Sequence, residues 1–372
     1  MRAHALALIA VTLFAAGARG EEEVRIAISE GRSTVALSGA SLSAYDPSSG
    51  ERIGLGLGEC SVEVVVSGPR VRIAKSDGSF TLDRDPAESE RLLFEAPDGI
   101  RVDGRLFLGR IVVRRWQKGL HVINRIPMET YLLGIVGSEM SPAWPIEALK
   151  AQAVSARTYA FERRMMMRAA GRPYDLESTV LSQVYAGAER IQPSVVEAVR
   201  QTRGEVLSFR HRPVEALFHS TCGGRTVPAK EAFGHEVPYL VGRVCEFCKP
   251  SPRYSWVARF TLDQLGASLK KAGLIKTKLK KIERKKGEKD VRINDSVRTQ
   301  PGKVRRALGY TTIFSDRYTV TTQKKTVTFE GHGFGHGVGL CQWGAKGMSE
   351  ANKTHVQILE HYYPGAELRR IY

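Results

Sequence analysis

Hydrophobic and polar positions alternate along much of residues 24–125, as they do in strands with one buried face. β-Branched residues dominate the apolar runs, and turn pairs such as Asp98-Gly99 and Asp103-Gly104 separate them. We therefore predict small antiparallel sheets in this region. The predicted strands lie at 24–28, 62–66, 71–73, 105–115 and 120–123.

A helical period replaces this alternation between residues 126 and 170. Pro127 and Pro145 each stand where a helix can begin, because proline is favoured at the first helical position. They predict helices over 127–137 and 145–168, and we predict an α+β fold in which β-rich segments pack around this central pair of helices. The apolar face of the second helix, spaced by three and four, consists of Ile146, Leu149, Ala153, Ala156 and Ala160.

Strand, helix and loop signals are mixed over residues 171–372. We predict strands at 206–209 and 214–219 and a hairpin over 318–330. The basic run between 270 and 289 is predicted to form a solvated helix and loop, with binding in a groove as the alternative. The predicted domains are an N-terminal β-rich region over 21–125 and a core over 126–372 with a basic insertion near 270–300.

The first twenty residues have the composition of a secretory signal peptide. A basic start precedes an apolar run over 5–16, which is too short to span a bilayer, and small residues lead up to Gly20. We predict cleavage after Gly20 and export to the periplasm or cell wall. No later stretch is long and apolar enough for a transmembrane helix, so we do not expect an integral membrane protein.

Composition and charge narrow the class of partner. Of the 372 residues 42% are hydrophobic, which excludes global disorder, and 56 Lys and Arg against 39 Asp and Glu give a net charge of +17. Loss of Arg2 and Arg19 with the signal peptide lowers this charge to +15. A basic exported protein meets acidic wall polymers and anionic lipid, and we expect no nucleic acid among its partners.

Two motifs supply a carboxylate and basic side chains. Glu139 lies between the predicted helices beside Met140 and near Trp144, and apolar neighbours favour the protonated carboxyl that a general acid needs. The alternative is that Glu139 caps the second helix. Lys150 and Arg157 stand seven residues apart, nearly two helical turns, so both point the same way. They suit a sugar carboxylate or form a solvated basic stripe.

Cysteine spacing predicts a different kind of site. Cys222, Cys245 and Cys248 combine with His219 into a His-x2-Cys pair and a Cys-x2-Cys pair, which resemble the spacing of a structural zinc site. An oxidising compartment permits a disulfide instead, and the sequence supports both interpretations. Because the chain has five cysteines, at least one lies outside any intramolecular disulfide.

A glycine-rich segment over 331–345 carries the remaining candidates. Glycine at every second position as far as Gly339 permits close approach of the backbone to a ligand. His336 and Gln342, together with Trp343, suit a carbohydrate, which presents polar groups and an apolar face. A flexible loop is the alternative, and the histidine and tryptophan content argues against it.

Together these segments resemble the stage II sporulation protein D family, also called the amidase-enhancer or LytB-type family. The most specific motifs are the Gly-x-Glu-Met turn at Glu139 and the Gly-x-Gly-His-Gly-Val-Gly segment at His336. The chain departs from the family at Cys341, where serine is frequent, and in the region before Val304. The resemblance extends from about residue 24 to the C-terminus and is strongest over 126–163, 182–187, 218–226 and 331–345.

The resemblance implies an exported peptidoglycan lytic transglycosylase, which cuts the bond after N-acetylmuramic acid in glycan strands stripped of stem peptides. It implies that Glu139 is the catalytic glutamate, that Lys150 and Arg157 line a cleft, and that His219 and His336 stand in its other walls. One carboxylate suffices if the sugar's own C6 hydroxyl attacks, so the product would end in 1,6-anhydro-muramic acid. This chemistry requires no cofactor.

The alternative function is non-catalytic. Under this interpretation the chain binds the wall and activates an N-acetylmuramoyl-L-alanine amidase. The joint presence of Glu139, Lys150 and Arg157 favours the enzyme, because a scaffold needs none of them.

Overall fold

The computed structural model describes residues 22–47, 52–54, 58–68, 70–77, 88–178, 185, 187–189 and 191–372. The predicted signal peptide, residues 1–20, lies outside the described residues. The described chain forms two compact units. Residues up to Glu215 together with Leu368–Tyr372 form the first unit, and Ala216–Glu367 forms the second.

The strands are numbered in chain order. They are β1 (Glu23–Arg32), β2 (Thr34–Ala40), β3 (Ser43–Tyr45), β4 (Arg52–Gly54), β5 (Glu59–Ser67), β6 (Arg70–Asp77), β7 (Glu88–Ser89), β8 (Arg91–Glu95), β9 (Ile100–Val102), β10 (Arg105–Phe107), β11 (Arg110–Trp116), β12 (Gly119–Pro127), β13 (Leu176–Glu177), β14 (Glu205–Phe209), β15 (Arg212–Pro213), β16 (Phe218–His219), β17 (Ser255–Thr261), β18 (Ile282–Glu283), β19 (Val291–Ile293), β20 (Val297–Thr299), β21 (Tyr318–Gln323), β22 (Thr326–His332), β23 (Leu340–Cys341) and β24 (Glu367–Arg370).

The helices of the described chain are numbered likewise, and a 3₁₀ turn spans Glu246–Cys248. They are α1 (Met128–Glu139), α2 (Ile146–Ala169), α3 (Pro193–Gln201), α4 (Ala229–Phe233), α5 (Leu262–Lys271), α6 (Pro301–Leu308), α7 (Gln342–Glu350) and α8 (His355–Tyr362).

Two large sheets account for most of the strands in the first unit. One has the order β13-β1-β12-β11-β8-β3-β4, and the other has the order β10-β9-β2-β5-β6-β7. The interior strand β12 is buried along most of its length and pairs antiparallel with β1 and β11. The α+β prediction is therefore confirmed, although the sheets are larger than predicted because strands distant in sequence join them. The predicted domain boundary at 125/126 falls inside β12.

The two predicted helices are present as α1 and α2, each directly after its proline. Glu139 is the last residue of α1 and not a loop residue, because the N–H of Met140 still donates to the carbonyl of Val136 at 2.9 Å. In α2 the small side chains of Ala153, Ala156 and Ala160 are fully buried, as the spacing predicted. None of the helices in the described part of the chain is long and apolar enough to cross a bilayer.

A buried ion pair joins α1 to α2. The Arg157 guanidinium donates from Nε and Nη2 to the two carboxylate oxygens of Glu129, both at 2.7 Å, and neither side chain is exposed. The Tyr372 hydroxyl donates to the same carboxylate at 2.6 Å, and the N–H of Gly204 does so at 3.2 Å. Arg157 also donates to the carbonyl of Glu205 at 3.1 Å. The pair thus holds two helices, β14 and the C-terminal residue together.

The second unit contains smaller sheets. The predicted hairpin is present as β21 and β22, and β17 adds to its edge. The strand predicted at 214–219 is short, because only Phe218 and His219 pair, in parallel with β23. Trp256, Leu265 and Phe329 belong to an apolar core that β17, α5 and β22 share.

Positive charge is concentrated in residues 255–332 of this unit. The segment has 19 basic and 7 acidic residues, so it carries +12 of the chain's +17. The run predicted as solvated helix and loop begins at the end of α5, which stops at Lys271, and continues mostly as loop. Lys276, Lys280 and Lys286 are among its exposed side chains.

Replacing Arg157 with Met should destabilise the protein by about 3–5 kcal/mol, because the Glu129 carboxylate would stay buried without its cation. The measurement is the free energy of unfolding from denaturant titration. Adding Glu129→Gln should recover part of the loss, since the amide is neutral and can still accept hydrogen bonds. Arg200→Ala, at an exposed pair with Glu197, is the control and should change nothing measurable. An Arg157→Met protein as stable as its parent would contradict this account.

Candidate active site and cysteine cluster

A cavity of about 760 Å³ lies at the C-terminal end of α1 in the first unit. It contains two carboxylates, those of Glu139 and Glu189. Glu139 is half-buried and Glu189 is exposed. The lining residues are Gly137, Ser138, Glu139, Met140, Ser141, Pro142, Ala143, Glu189, Gln192, Pro193 and Ser194.

Close packing against α1 positions the segment that precedes Glu189. A Cβ on Gly134 would lie 2.7 Å from the carbonyl oxygen of Gly187, so only glycine permits this approach. The buried Tyr185 hydroxyl donates to Oδ1 of Asn124 at 2.7 Å, and its ring lies 5.2 Å from that of Tyr131. Both contacts hold the segment against β12 and α1.

The other side of the cavity is the first turn of α3. Pro193 begins this helix at a position where proline is favoured. The Ser194 hydroxyl donates to the carbonyl of Pro142 at 2.7 Å, and the N–H of Trp144 donates to the carbonyl of Ser141 at 3.0 Å. These bonds hold the loop that follows Glu139 in one conformation.

Glu139 lies at the C-terminal end of α1, close to the buried Tyr131. The C-terminal end of a helix carries partial negative charge, which disfavours an anion there. Burial raises the pKa of Tyr131 well above its ordinary value, and nearby Tyr185 and the Glu139 charge add to the shift. The neighbouring phenol therefore stays neutral.

The two predicted basic residues lie at different depths. Lys150 is partly buried and its ammonium group lies 2.6 Å from Oε1 of Glu147. Arg157 is fully buried in its ion pair, so the predicted role in binding a sugar carboxylate is wrong: its guanidinium already holds a carboxylate and has no access to solvent. Neither residue is among the described residues that line the cavity.

The two predicted histidines of the second unit lie together, with ring centroids 5.5 Å apart. Nε2 of His336 donates to the carbonyl of Phe218 at 2.9 Å, and the N–H of Val338 donates to its Nδ1 at 3.1 Å. Nδ1 of His219 donates to the carbonyl of Val338 at 3.0 Å. Burial lowers the pKa of His336 to about 4 and that of His219 to about 3, so both rings are neutral at neutral pH.

Gln342 is the first residue of α7 and is 5% exposed. The preceding residue, Cys341, caps this helix, because its Sγ accepts the N–H of Gly344 at 3.4 Å. The glycine-rich segment that leads to them packs closely: a Cβ on Gly335 would lie 2.8 Å from that of His219. The segment is therefore a packed part of the second unit and not a loose loop.

Four buried cysteines form a cluster in the second unit. Cys222, Cys245 and Cys248 gather as predicted, but the fourth member is Cys341 and not His219. Their sulfur atoms all lie within 4.8 Å of one another. The prediction of His219 as a ligand is corrected because β16 and β23 pair in parallel, which brings Cys341 beside this loop, whereas Nδ1 of His219 is engaged with Val338.

The sequence analysis did not identify several residues of these two sites. Glu189, Gln192 and Ser194 join the cavity only through tertiary packing. The local sequence indicated only that a helix could begin at Pro193. Cys341 was visible as a departure from the serine frequent in the family, but its sequence distance from the other cysteines concealed the cluster.

Comparison with known proteins identifies the family. The family described as Stage II sporulation protein matches residues 116–209. An "uncharacterized protein" of Brachyspira hyodysenteriae is 34% identical over 284 residues, which cover 75% of this chain and 76% of that protein. Stage II sporulation protein D of Bacillus amyloliquefaciens is 30% identical over 264 residues, covering 67% and 76%. The chain therefore belongs to the stage II sporulation protein D family.

A further relative carries a different name. The amidase enhancer of Bacillus subtilis is 27% identical over 290 residues, which cover 64% of this chain and 40% of the enhancer. The name of this relative corresponds to the alternative function drawn from the sequence, the activation of an amidase.

The buried histidines should make the protein less stable as the pH falls below about 6.5. His336 titrates near pH 4 in the folded protein and near 6.5 when unfolded, so between these values only the unfolded chain takes up the proton. The free energy of unfolding should therefore rise with pH across this window and level off above it. His336→Gln should flatten the rise measured by denaturant titration between about pH 5 and pH 7. An unchanged slope would show that His336 contributes nothing to it.

Proposed function

We propose that the protein is an exported lytic transglycosylase, which cleaves the bond between N-acetylmuramic acid and N-acetylglucosamine in peptide-stripped peptidoglycan strands. The observation that carries this proposal is the half-buried Glu139 in a cavity of about 760 Å³, at the negative end of α1. Membership of the stage II sporulation protein D family supports the assignment to the cell wall.

In this proposal Glu139 acts first as acid and then as base. The protonated carboxyl gives its proton to the leaving glycosidic oxygen, and the resulting carboxylate takes the proton of the C6 hydroxyl as that hydroxyl attacks C1. The bond to the leaving sugar breaks, and the new C6–O–C1 bond gives the 1,6-anhydro product. Attack within one sugar ring needs no positioned water and gains from proximity.

Glu189 bears on which reaction the cavity carries out. Glycoside hydrolases that work with water use two carboxylates about 5–9.5 Å apart, and Glu189 supplies a second carboxylate in this cavity. Because Glu189 is exposed, it is suited to hydrogen bonding with sugar hydroxyls. We propose that it holds substrate and takes no part in proton transfer, so its removal weakens binding and leaves the anhydro product unchanged.

The other predicted ligands keep a proposed role only where their surroundings permit it. Lys150 would release the carboxylate of Glu147 and bind the free lactyl carboxylate of a stripped strand instead. Glycan binding by His219, His336 and Gln342 remains a prediction from the family resemblance. Arg157 is excluded from it by its burial.

The second candidate function is activation of an N-acetylmuramoyl-L-alanine amidase, and the relative named amidase enhancer favours it. The two functions make different demands on Glu139. Activation by a bound scaffold does not depend on a proton donor, so Glu139→Gln would leave it intact, whereas transglycosylase activity would be lost.

We also propose a structural role for any metal that the cysteine cluster holds. A site closed by four protein ligands leaves no open position for substrate or water, so the metal takes no part in glycan cleavage.

Glu139→Gln should reduce cleavage of purified peptide-stripped glycan by at least about 100- to 10,000-fold, because the amide has no acidic proton to give. Binding to sacculi should survive, since the amide keeps the shape of the side chain. The measurement is mass spectrometry of released fragments, with cosedimentation for binding.

Glu189→Gln is the matched control in the same cavity. It should raise the KM for glycan and still yield 1,6-anhydro ends. Ordinary reducing ends from the unchanged protein, or cleavage by the Glu139→Gln protein, would exclude the proposed mechanism. Amidase activation by both variants, without cleavage by any, would establish the second function.

Binding to sacculi should weaken as salt rises, because exposed charges are screened over about 8 Å at physiological ionic strength. Lys276→Glu with Lys286→Glu should weaken binding at low salt, since both lysines lie in the basic segment 255–332. Lys118→Glu with Lys353→Glu makes the same change of charge at exposed positions elsewhere and should have a smaller effect. Equal effects of the two pairs would mean that net charge alone matters.

A further inference from the structure

Four cysteines from three separate segments converge inside the second unit. Cys222 follows β16, Cys245 precedes the 3₁₀ turn Glu246–Cys248 and Cys248 ends it, and Cys341 ends β23. Each is at most 1% exposed. Bringing four buried thiols together from distant parts of a chain costs free energy unless a bound group holds them together.

The spacing of the sulfur atoms fits a single ion. All four lie within 4.8 Å of one another, and those of Cys222 and Cys248 are 3.4 Å apart. Zinc–sulfur bonds of about 2.3 Å in a tetrahedron place the sulfurs about 3.8 Å apart. Only small shifts separate the observed cluster from that geometry.

Hydrogen-bond donors surround the cluster as they surround thiolate ligands. The N–H of Cys222 donates to Sγ of Cys341 at 3.2 Å, and that of Gly344 donates to the same sulfur at 3.4 Å. The Tyr362 hydroxyl lies 3.1 Å from Sγ of Cys245, within hydrogen-bond distance of that sulfur. Donors of this kind orient metal ligands and stabilise their negative charge.

The packing leaves no space for a substrate at the cluster. A Cβ on Gly344 would lie 2.6 Å from Sγ of Cys245 and would also collide with the Tyr362 hydroxyl. Gly347 packs in the same way on Phe247, between the two cysteines of the Cys-x2-Cys pair. The cluster is therefore closed on the side of α7, as structural zinc sites are.

We infer that Cys222, Cys245, Cys248 and Cys341 bind one zinc ion as four thiolates, in a closed structural site whose fourth ligand is Cys341. The inference rests on the structural role proposed for the cluster, and its tests need no glycan cleavage. Binding converts four thiols to thiolates and releases their protons to solvent, with no change of oxidation state.

A disulfide is the weaker interpretation of the same atoms. None of the five cysteines, all of which are described, is paired as a disulfide. A disulfide would join two sulfurs at about 2.05 Å and separate that pair from the others. The four sulfurs instead share one centre and have backbone and hydroxyl donors directed at two of them.

The site would determine the position of two residues predicted to bind glycan. Cys222 lies three residues after His219, and Cys341 directly precedes Gln342 and caps α7. Zinc would join β16 to the start of α7 through these two cysteines. Its removal should loosen both segments and leave the first unit intact.

The first experiment determines the metal and its ligands in the unchanged protein. Protein purified without chelator should contain one zinc per chain by elemental mass spectrometry. Exchange for Co²⁺ should give the intense sulfur-to-cobalt charge-transfer absorption of four thiolates in a tetrahedral field. A spectrum of three sulfurs and one nitrogen would return His219 to the ligand set and overturn the role of Cys341.

The second experiment uses matched variants. Cys341→Ser should lose most of the zinc, whereas His219→Gln and Cys60→Ser should keep it, the latter replacing a buried cysteine of the first unit. If Cys341→Ser does not fold, hydrogen exchange of the unchanged protein with and without chelator remains decisive. Exchange should rise in 218–224 and 340–347 and stay constant in α1 and α2.

Two results would overturn the inference. One is a metal-free protein whose peptides, mapped without reduction, contain disulfides among these four cysteines. The other is full zinc content in Cys341→Ser. Neither result bears on Glu139, so the proposed glycan cleavage would stand or fall separately.

Discussion

A fully buried ion pair between Arg157 and Glu129 is the constraint on which the first unit depends. Two charges withdrawn from water are tolerated only when each meets the other with good geometry and the remaining polar atoms are bonded. Here α1 supplies the carboxylate, α2 the guanidinium, and Gly204 and Tyr372 complete the hydrogen bonds. The angle and depth at which the two helices meet are set by this contact and by the alanines of α2.

That contact acts on the candidate active site through a rigid element. Glu129 is in the first turn of α1 and Glu139 is its last residue, so the helix carries the constraint from one end to the other. Gly134, between them, admits the segment that brings Glu189 to the cavity. The carboxyl that we propose as the acid therefore lies on a helix whose position is fixed by buried charge. The helix α1 itself connects the ion pair to this carboxyl.

The second unit is organised by sulfur and by close backbone approach. Its glycine-rich segment packs against β16, which leaves both histidines buried, neutral and hydrogen-bonded to backbone groups. Neutral imidazoles that are hydrogen-bonded to backbone groups are better suited to fixing the backbone around them than to acid–base chemistry. The cysteine cluster lies at the end of the same strand pair and joins three segments that are distant from one another in sequence.

The sequence alone determined the features that depend on neighbouring residues. Pro127 and Pro145 marked the two central helices, alternation marked the strands, and the motifs around Glu139 and His336 identified the family. Depth and long-range partners were decided only by tertiary structure. Spacing showed that Lys150 and Arg157 point the same way, but only packing places one near the surface and the other in the core. The same holds for Glu189 beside Glu139 and for Cys341 in place of His219. The spacing of residues shows only the direction in which their side chains point on one element, whereas burial depends on the segments that pack over that element.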